Sequence, residues 1–281
     1  MTPAAEPAPF IDSHFYIVDP ARFPFAPGRQ GYQPKPHEIG QVDDYVARMD
    51  GRGIARAVAI QPSPYAFDSS PVVDAVTRHG GRLRAVGVFP SETPAAALAA
   101  LKERGIVGAR FNIADFQRDA LAGPAAERYL AVLAELGLFA EIYALPEQWP
   151  DLYEVVRRSG VRVVIDHFGC GNDRQLNPVL ATRGHLERLA DLGDSYVKLT
   201  SANRLSHKPE TFDDLDPVVG MLRDLFGPDR MLWGSGWPFL NAPRPVTYEV
   251  LTGNFRRWFP DEADRRRILG DVPARLFSFG V

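Results

Sequence analysis

Cysteine is almost missing from this chain: among 281 residues only Cys170 carries a thiol. An internal disulfide is therefore excluded, and a reducing compartment, the cytoplasm, is the expected location. No run of about 18 apolar residues is present, so no segment reads as a membrane span. The opening MTPAAEPAP has neither the basic start nor the apolar stretch of a signal peptide, and residues 1–9 read as a flexible tail. There is no block of Lys or Arg, and the formal net charge is −3. Nucleic acid and anionic membranes thus lose their usual electrostatic footprint. No G-x-G-x-x-G follows a strand-like run, which removes support for a dinucleotide-binding doubly wound sheet. No Ser/Gly/Pro-rich linker divides the middle, so residues 10–281 read as a single domain. The partner expected is a small molecule, with a homodimer left open.

What is present is alternation. Short β-branched runs at Phe10–Val18, Ala55–Ile60, Arg84–Phe89, Val107–Ile113, Leu138–Ala144, Arg162–His167, Tyr196–Thr200 and Arg230–Gly234 read as eight strands. Between and after them lie eight amphipathic stretches of helical period, from Val42–Met49 to Thr247–Trp258. Eight βα units predict a (β/α)8 TIM barrel rather than an open sheet. A further helix over Asp264–Phe277 is expected to pack outside it. Glycines in ERGIVGARF, ELGLFAEIY and RSGVRVVIDHF fit left-handed helix caps that return the chain to the barrel.

Reacting groups in such barrels come from the C-terminal ends of the strands. Read in order, those ends are DSHFYIVD, QPSPY, RFN, EIYA, DHFG, KLTSANR and WGSGWP. Purely structural strand ends rarely gather His, Arg, Tyr, Lys and Trp together. Taken with VGARFN, VVIDHFG, YVKLTSANRLS, MLWGSGWPF and the closing ILGDVPARLF, this order resembles the amidohydrolase superfamily. The resemblance is to the amidohydrolase-related branch, near the 2-pyrone-4,6-dicarboxylate and 4-sulfomuconolactone lactonases, and it runs through nearly the whole chain. It implies a (β/α)8 enzyme that hydrolyses lactones or related bonds, or decarboxylates or isomerises small acids.

The sequence departs from that pattern twice. The second histidine of the family's His-x-His is Tyr16, and the aspartate of its Trp-Gly-Ser-Asp-Trp-Pro is Gly236. A tyrosine in place of one imidazole and no carboxylate at the eighth strand leave His14 and His167 too few donors for a zinc site, so no metal and no other cofactor is expected. The missing aspartate is the residue that activates water in metal-free relatives. Its loss points away from simple hydrolysis and toward isomerisation, cyclisation or decarboxylation, or toward a homologue that binds without catalysis.

Proton transfer then falls to His14, Tyr16 and His167: imidazole titrates near neutral pH, and a phenol can donate to a developing oxyanion. Each could instead be a packed core residue. By resemblance, Arg110 and Arg204 bind a substrate carboxylate, which guanidinium suits. The family's next arginine, six residues after the first, is here Phe116, implying a less anionic, more aromatic or apolar substrate. Lys198 is expected to pair with Asp166 or a substrate acid, and Tyr143 to face the substrate. Gln61, Ser63 and Tyr65 would orient the ligand, although QPSPY could be only a turn. Trp233 and Gly236 complete the expected pocket. Cys170 reads as a packed small residue, and Phe23, Phe25 and Tyr32 as a lid or a wrapped loop.

Overall fold

A computed structural model describes residues 10–27, 32–169, 180 and 183–279; the expected tail at 1–9 and Cys170 lie outside them. Eight parallel strands follow one another in sequence order: β1 (Phe10–Tyr16), β2 (Ile54–Ile60), β3 (Leu83–Gly87), β4 (Ile106–Asn112), β5 (Phe139–Tyr143), β6 (Val163–Ile165), β7 (Ser195–Leu199) and β8 (Met231–Trp233). Helices surround them, forming the expected (β/α)8 TIM barrel. Several strands stop sooner than their apolar runs, because side chains in the loops take over the next backbone groups. After β3, for example, the Val88 N–H donates to Gln61 Oε1 at 2.9 Å.

The seam between β8 and β1 is closed just beyond β8. Gly236 N donates to His14 O at 2.8 Å, and Tyr16 N to Trp237 O at 2.7 Å. A Cβ at Gly234 would lie 2.4 Å from the His14 Cβ, so only glycine lets the last strand approach the first this closely.

Strand parity sorts the interior into layers. Phe139, Val164, Tyr196 and Leu232 form an apolar layer near the N-terminal end, with Ile11, Val58 and Val86. One layer further along stand Arg110, Glu141, Asp166 and Lys198, all buried, the last three being two residues beyond Phe139, Val164 and Tyr196. The opposite parity faces the helices, where Ile142, Ile165, Val197 and Met231 join the larger core.

The C-terminal segment departs from its expected place. Its helix is interrupted: Glu262–Arg266 and Val272–Leu276 flank a π-turn at Arg267–Asp271. It then delivers Leu276, Phe277 and Phe279 into the apolar layer. Phe277 meets Phe139 at a centroid distance of 5.7 Å. The segment therefore plugs the barrel floor, where burying one such ring contributes about 1.5–3 kcal/mol.

Candidate active site

A cavity of about 440 Å³ opens at the C-terminal end of the barrel, within the range of small-molecule sites. Tyr16, Arg110, Asn112, Tyr143, His167 and Arg204 supply its polar wall, and Tyr32, Ser63, Leu240 and Asn241 line it from the loops. These side chains come from strands far apart in sequence, brought together by barrel closure.

His167 is the hub. Arg204 donates to its Nε2 at 2.7 Å, which places the ring proton on Nδ1, and Tyr16 Oη lies 3.3 Å from the same nitrogen. Arg110 approaches it at 3.5 Å while donating to Asp166 Oδ2 at 2.6 Å. β6 ends on an irregular turn in which His167 has φ +48° and Phe168 φ +58°. A non-glycine residue adopts that conformation at a cost of about 1–2 kcal/mol, so the surrounding contacts hold it there. Burial, then the charges of Arg204, Arg110 and Lys198, lower the His167 pKa well below 6.5. The imidazole is neutral. Burial raises the Tyr16 pKa, opposed by Arg110 and Arg204, so the phenol keeps its proton and serves as a donor. Tyr143 is pushed up to about 12 by burial.

Beneath the cavity lies a charged layer. Lys198 Nζ donates to Glu141 Oε2 at 2.5 Å, both fully buried, so the lysine pairs with Glu141 and not with Asp166 as expected. Burial pushes the Glu141 carboxyl up to about 7, with Lys198 opposing. His14 sits in this layer: it is fully buried, and its ring lies 4.7 Å from that of Tyr16 and 5.2 Å from that of His167. Burial and the neighbouring Lys198 and His167 lower its pKa well below 6.5, so its 3.4 Å approach to Asp166 is no ion pair.

Other expected contacts fall elsewhere. Trp233 is on the helix-facing side of β8, packed against Phe10, Tyr248 and Phe255, because Leu232 and Gly234 hold the inward positions. Gln61 is spent on the loop: Nε2 donates to Ala66 O, and Oε1 accepts from Ser69 and Val88. Tyr65 Oη accepts from Asp19 N at 2.8 Å and its ring packs on Phe25. Among the expected lid aromatics only Tyr32 lines the cavity. Gly236 has φ +67°, and a Cβ there would meet Thr200 Oγ1 at 3.5 Å and Ser201 Oγ at 3.8 Å. An aspartate would find space but not an unstrained backbone.

Asn112 and Glu141 were not anticipated. Both were within reach of strand parity, since Asn112 is two residues beyond Arg110 and Glu141 two before Tyr143. Asn112 Nδ2 is buried without a hydrogen-bond partner among the described residues.

Could this site hold the divalent metal of many amidohydrolases? His14, Asp166 and His167 offer ligand atoms within 4.8 Å of one another, and both His14 ring nitrogens lack hydrogen-bond partners. One nitrogen of His167 and one oxygen of Asp166 are already engaged: Arg204 occupies His167 Nε2 and Arg110 occupies Asp166 Oδ2. The positive heads of Arg110, Lys198 and Arg204 crowd the same space and would repel a dication. Three cationic heads around a three-residue donor set oppose a bound dication.

The profile of the amidohydrolase family matches residues 11–279. The 4-sulfomuconolactone hydrolase of Rhizobium radiobacter is 32% identical, over 95% of this chain and 89% of that protein. The D-galactarolactone isomerase of Agrobacterium fabrum is 26% identical, over 98% of this chain and 92% of that protein. A crystal structure from Pseudomonas putida, assigned as a 2-pyrone-4,6-dicarboxylic acid hydrolase, superposes with a TM-score of 0.85 at 25% identity, covering 98% of this chain and 99% of that one.

Proposed function

The chain belongs to the amidohydrolase family, and on that premise we propose that it acts on a small lactone or enol acid by metal-independent proton transfer centred on His167. The observation that carries this reading is the convergence of Arg204, Tyr16 and Arg110 on His167 Nε2 at the cavity wall.

A neutral imidazole whose lone pair faces the cavity can act as a base. In the resting site Arg204 holds that lone pair. An acid group entering the cavity offers Arg204 a charged acceptor, a stronger hydrogen-bond partner than imidazole, and so frees Nε2. His167 then takes a proton from the carbon beside the substrate carbonyl. The C–H electron pair becomes a new C=C bond as the carbonyl π pair moves onto oxygen, where Tyr16 Oη donates to the enolate. Where the substrate is β,γ-unsaturated, the proton returns at the γ-carbon of the resulting dienolate and the double bond moves into conjugation, and nothing else is consumed. Lactone hydrolysis would use the same nitrogen to deprotonate water. Isomerisation is favoured because Asp166 and Glu141 are ion-paired beneath the cavity and Gly236 brings no carboxylate to the end of β8, leaving Asp115 as the one acidic group on the cavity wall among the described residues.

The test is a panel of lactones and enol acids carrying carboxylates, assayed with protein whose metal content is known. Turnover should proceed without stoichiometric zinc, manganese or iron. His167→Ala and Tyr16→Phe should each lower it by about 10²-fold or more, the usual loss for a positioned base or donor. Full activity in both variants, or activity abolished by chelation, would overturn the mechanism. Binding that depends on Arg204, with no turnover of any compound, would identify a binding homologue instead.

A further inference from the structure

A second cavity, of about 620 Å³, opens beside the first at the same end of the barrel, and the two share Asp115 in the loop after β4. Their chemistry differs. Where the first is lined by two arginines, the second is walled by Phe67, Phe89, Phe111 and Phe116. Phe89 and Phe111 are buried, while Phe67 and Phe116 remain partly exposed, their rings edge-on at a centroid distance of 5.7 Å. Two loops thus hold an aromatic pair open to solvent beside the site. Covering such rings with an apolar group removes their surface from water and is favourable. The polar lining includes Glu92, Asp115 and Asp119, with Arg118 the one cation. A second carboxylate would meet like charge there, whereas a neutral group would not.

We propose that this second cavity seats a neutral aromatic or alkyl substituent of the substrate whose acid group is held by Arg110 and Arg204. The substrate is then a monoacid with an apolar tail rather than a compact dicarboxylate. Phe67 and Phe116 form the contact surface, and the substituent passes Asp115 to reach them. The position of the acid group rests on the function proposed above; the apolar seat rests on the second cavity.

Butyrate, glutarate and 4-phenylbutyrate serve as probes, titrated into the full chain and followed by NMR. The phenyl compound should bind at least about tenfold tighter than butyrate, since its ring can bury against the aromatic pair. Phe67→Ala and Phe116→Arg should each remove that gain and leave butyrate affinity unchanged, and Phe116→Arg should raise glutarate above 4-phenylbutyrate. Arg204→Ala should weaken all three alike. No preference for 4-phenylbutyrate, or a preference that survives both phenylalanine substitutions, overturns the proposal. Affinities indifferent to Arg204→Ala but sensitive to the phenylalanines would sink the acid-group reading while retaining the apolar seat.

Discussion

His14 combines complete burial with two ring nitrogens that make no hydrogen bond among the described residues. It lies below the cavity wall, its ring against those of Tyr16 and His167. Its pKa is lowered, chiefly by burial, so the unfolded chain binds a proton that the folded chain refuses. The stabilisation is complete above the unfolded value of 6.5 and is lost as pH falls below it. The stability of the wild type relative to His14→Asn should therefore fall by about 1.4 kcal/mol per pH unit below that point, the equivalent of one proton. Denaturant titrations of both proteins between pH 5 and pH 7.5 check this. A difference that stays flat or rises toward low pH would mean that the folded state carries the imidazolium.

At the scale of elements, two loops are tied together over the cavity by one buried carboxylate. Glu38 Oε2 accepts from the Tyr32 hydroxyl and, at 2.7 Å, from Lys35 N, while Oε1 accepts from Asn241 N at 2.8 Å. Tyr32 and Asn241 both line the cavity, so the loop after β1 and the loop after β8 are set by the same side chain. Removing it takes the shared acceptor from three part-buried donors and lets both loops move. Glu38→Ala should raise KM by about tenfold, the equivalent of about 1.4 kcal/mol of binding, with kcat changed far less, and Glu38→Gln should restore part of the loss by keeping one acceptor oxygen. Steady-state kinetics on the active substrate separate the two constants. Equal losses in kcat, or an unchanged KM, would show that the strap does not shape the binding wall. Tyr32 was singled out from the sequence as a lid aromatic. Glu38 was not, because its partner at Asn241 is 203 residues away.

Over the whole molecule, the barrel interior grades from an apolar floor sealed by Phe277, through a layer of paired charges, to the open cavity. The buried Lys198–Glu141 pair joins β7 to β5 in the middle layer. Breaking such a pair leaves an uncompensated charge, whereas replacing both partners with apolar residues of similar volume can be neutral. Arg110 Nε stays 3.6 Å from Glu141 Oε1, so Lys198→Met should cost less than the ~3–5 kcal/mol of a fully uncompensated buried charge, and Lys198→Met with Glu141→Leu should recover most of the loss. Chemical denaturation of the single and double variants decides; a double variant as unstable as the single would mean that the pair does more than neutralise itself.

The amino-acid sequence alone determined the eight βα units, since hydrophobic period is a local property written into each segment. Strand ends and the family resemblance together singled out Tyr16, Arg110, Tyr143, His167 and Arg204, which the barrel brings to the wall of one cavity. Parity at the last strand, the partners of long side chains and the fate of the C-terminal segment were decided only in three dimensions. Trp233 turned outward because Leu232 and Gly234 hold the inward positions. Gln61 and Tyr65 were drawn into loop hydrogen bonds, and Lys198 found Glu141 across 57 positions. Each of these outcomes depends on register between strands or on a contact between distant segments, and no local pattern encodes which of several polar partners will lie within hydrogen-bonding distance once the barrel has closed.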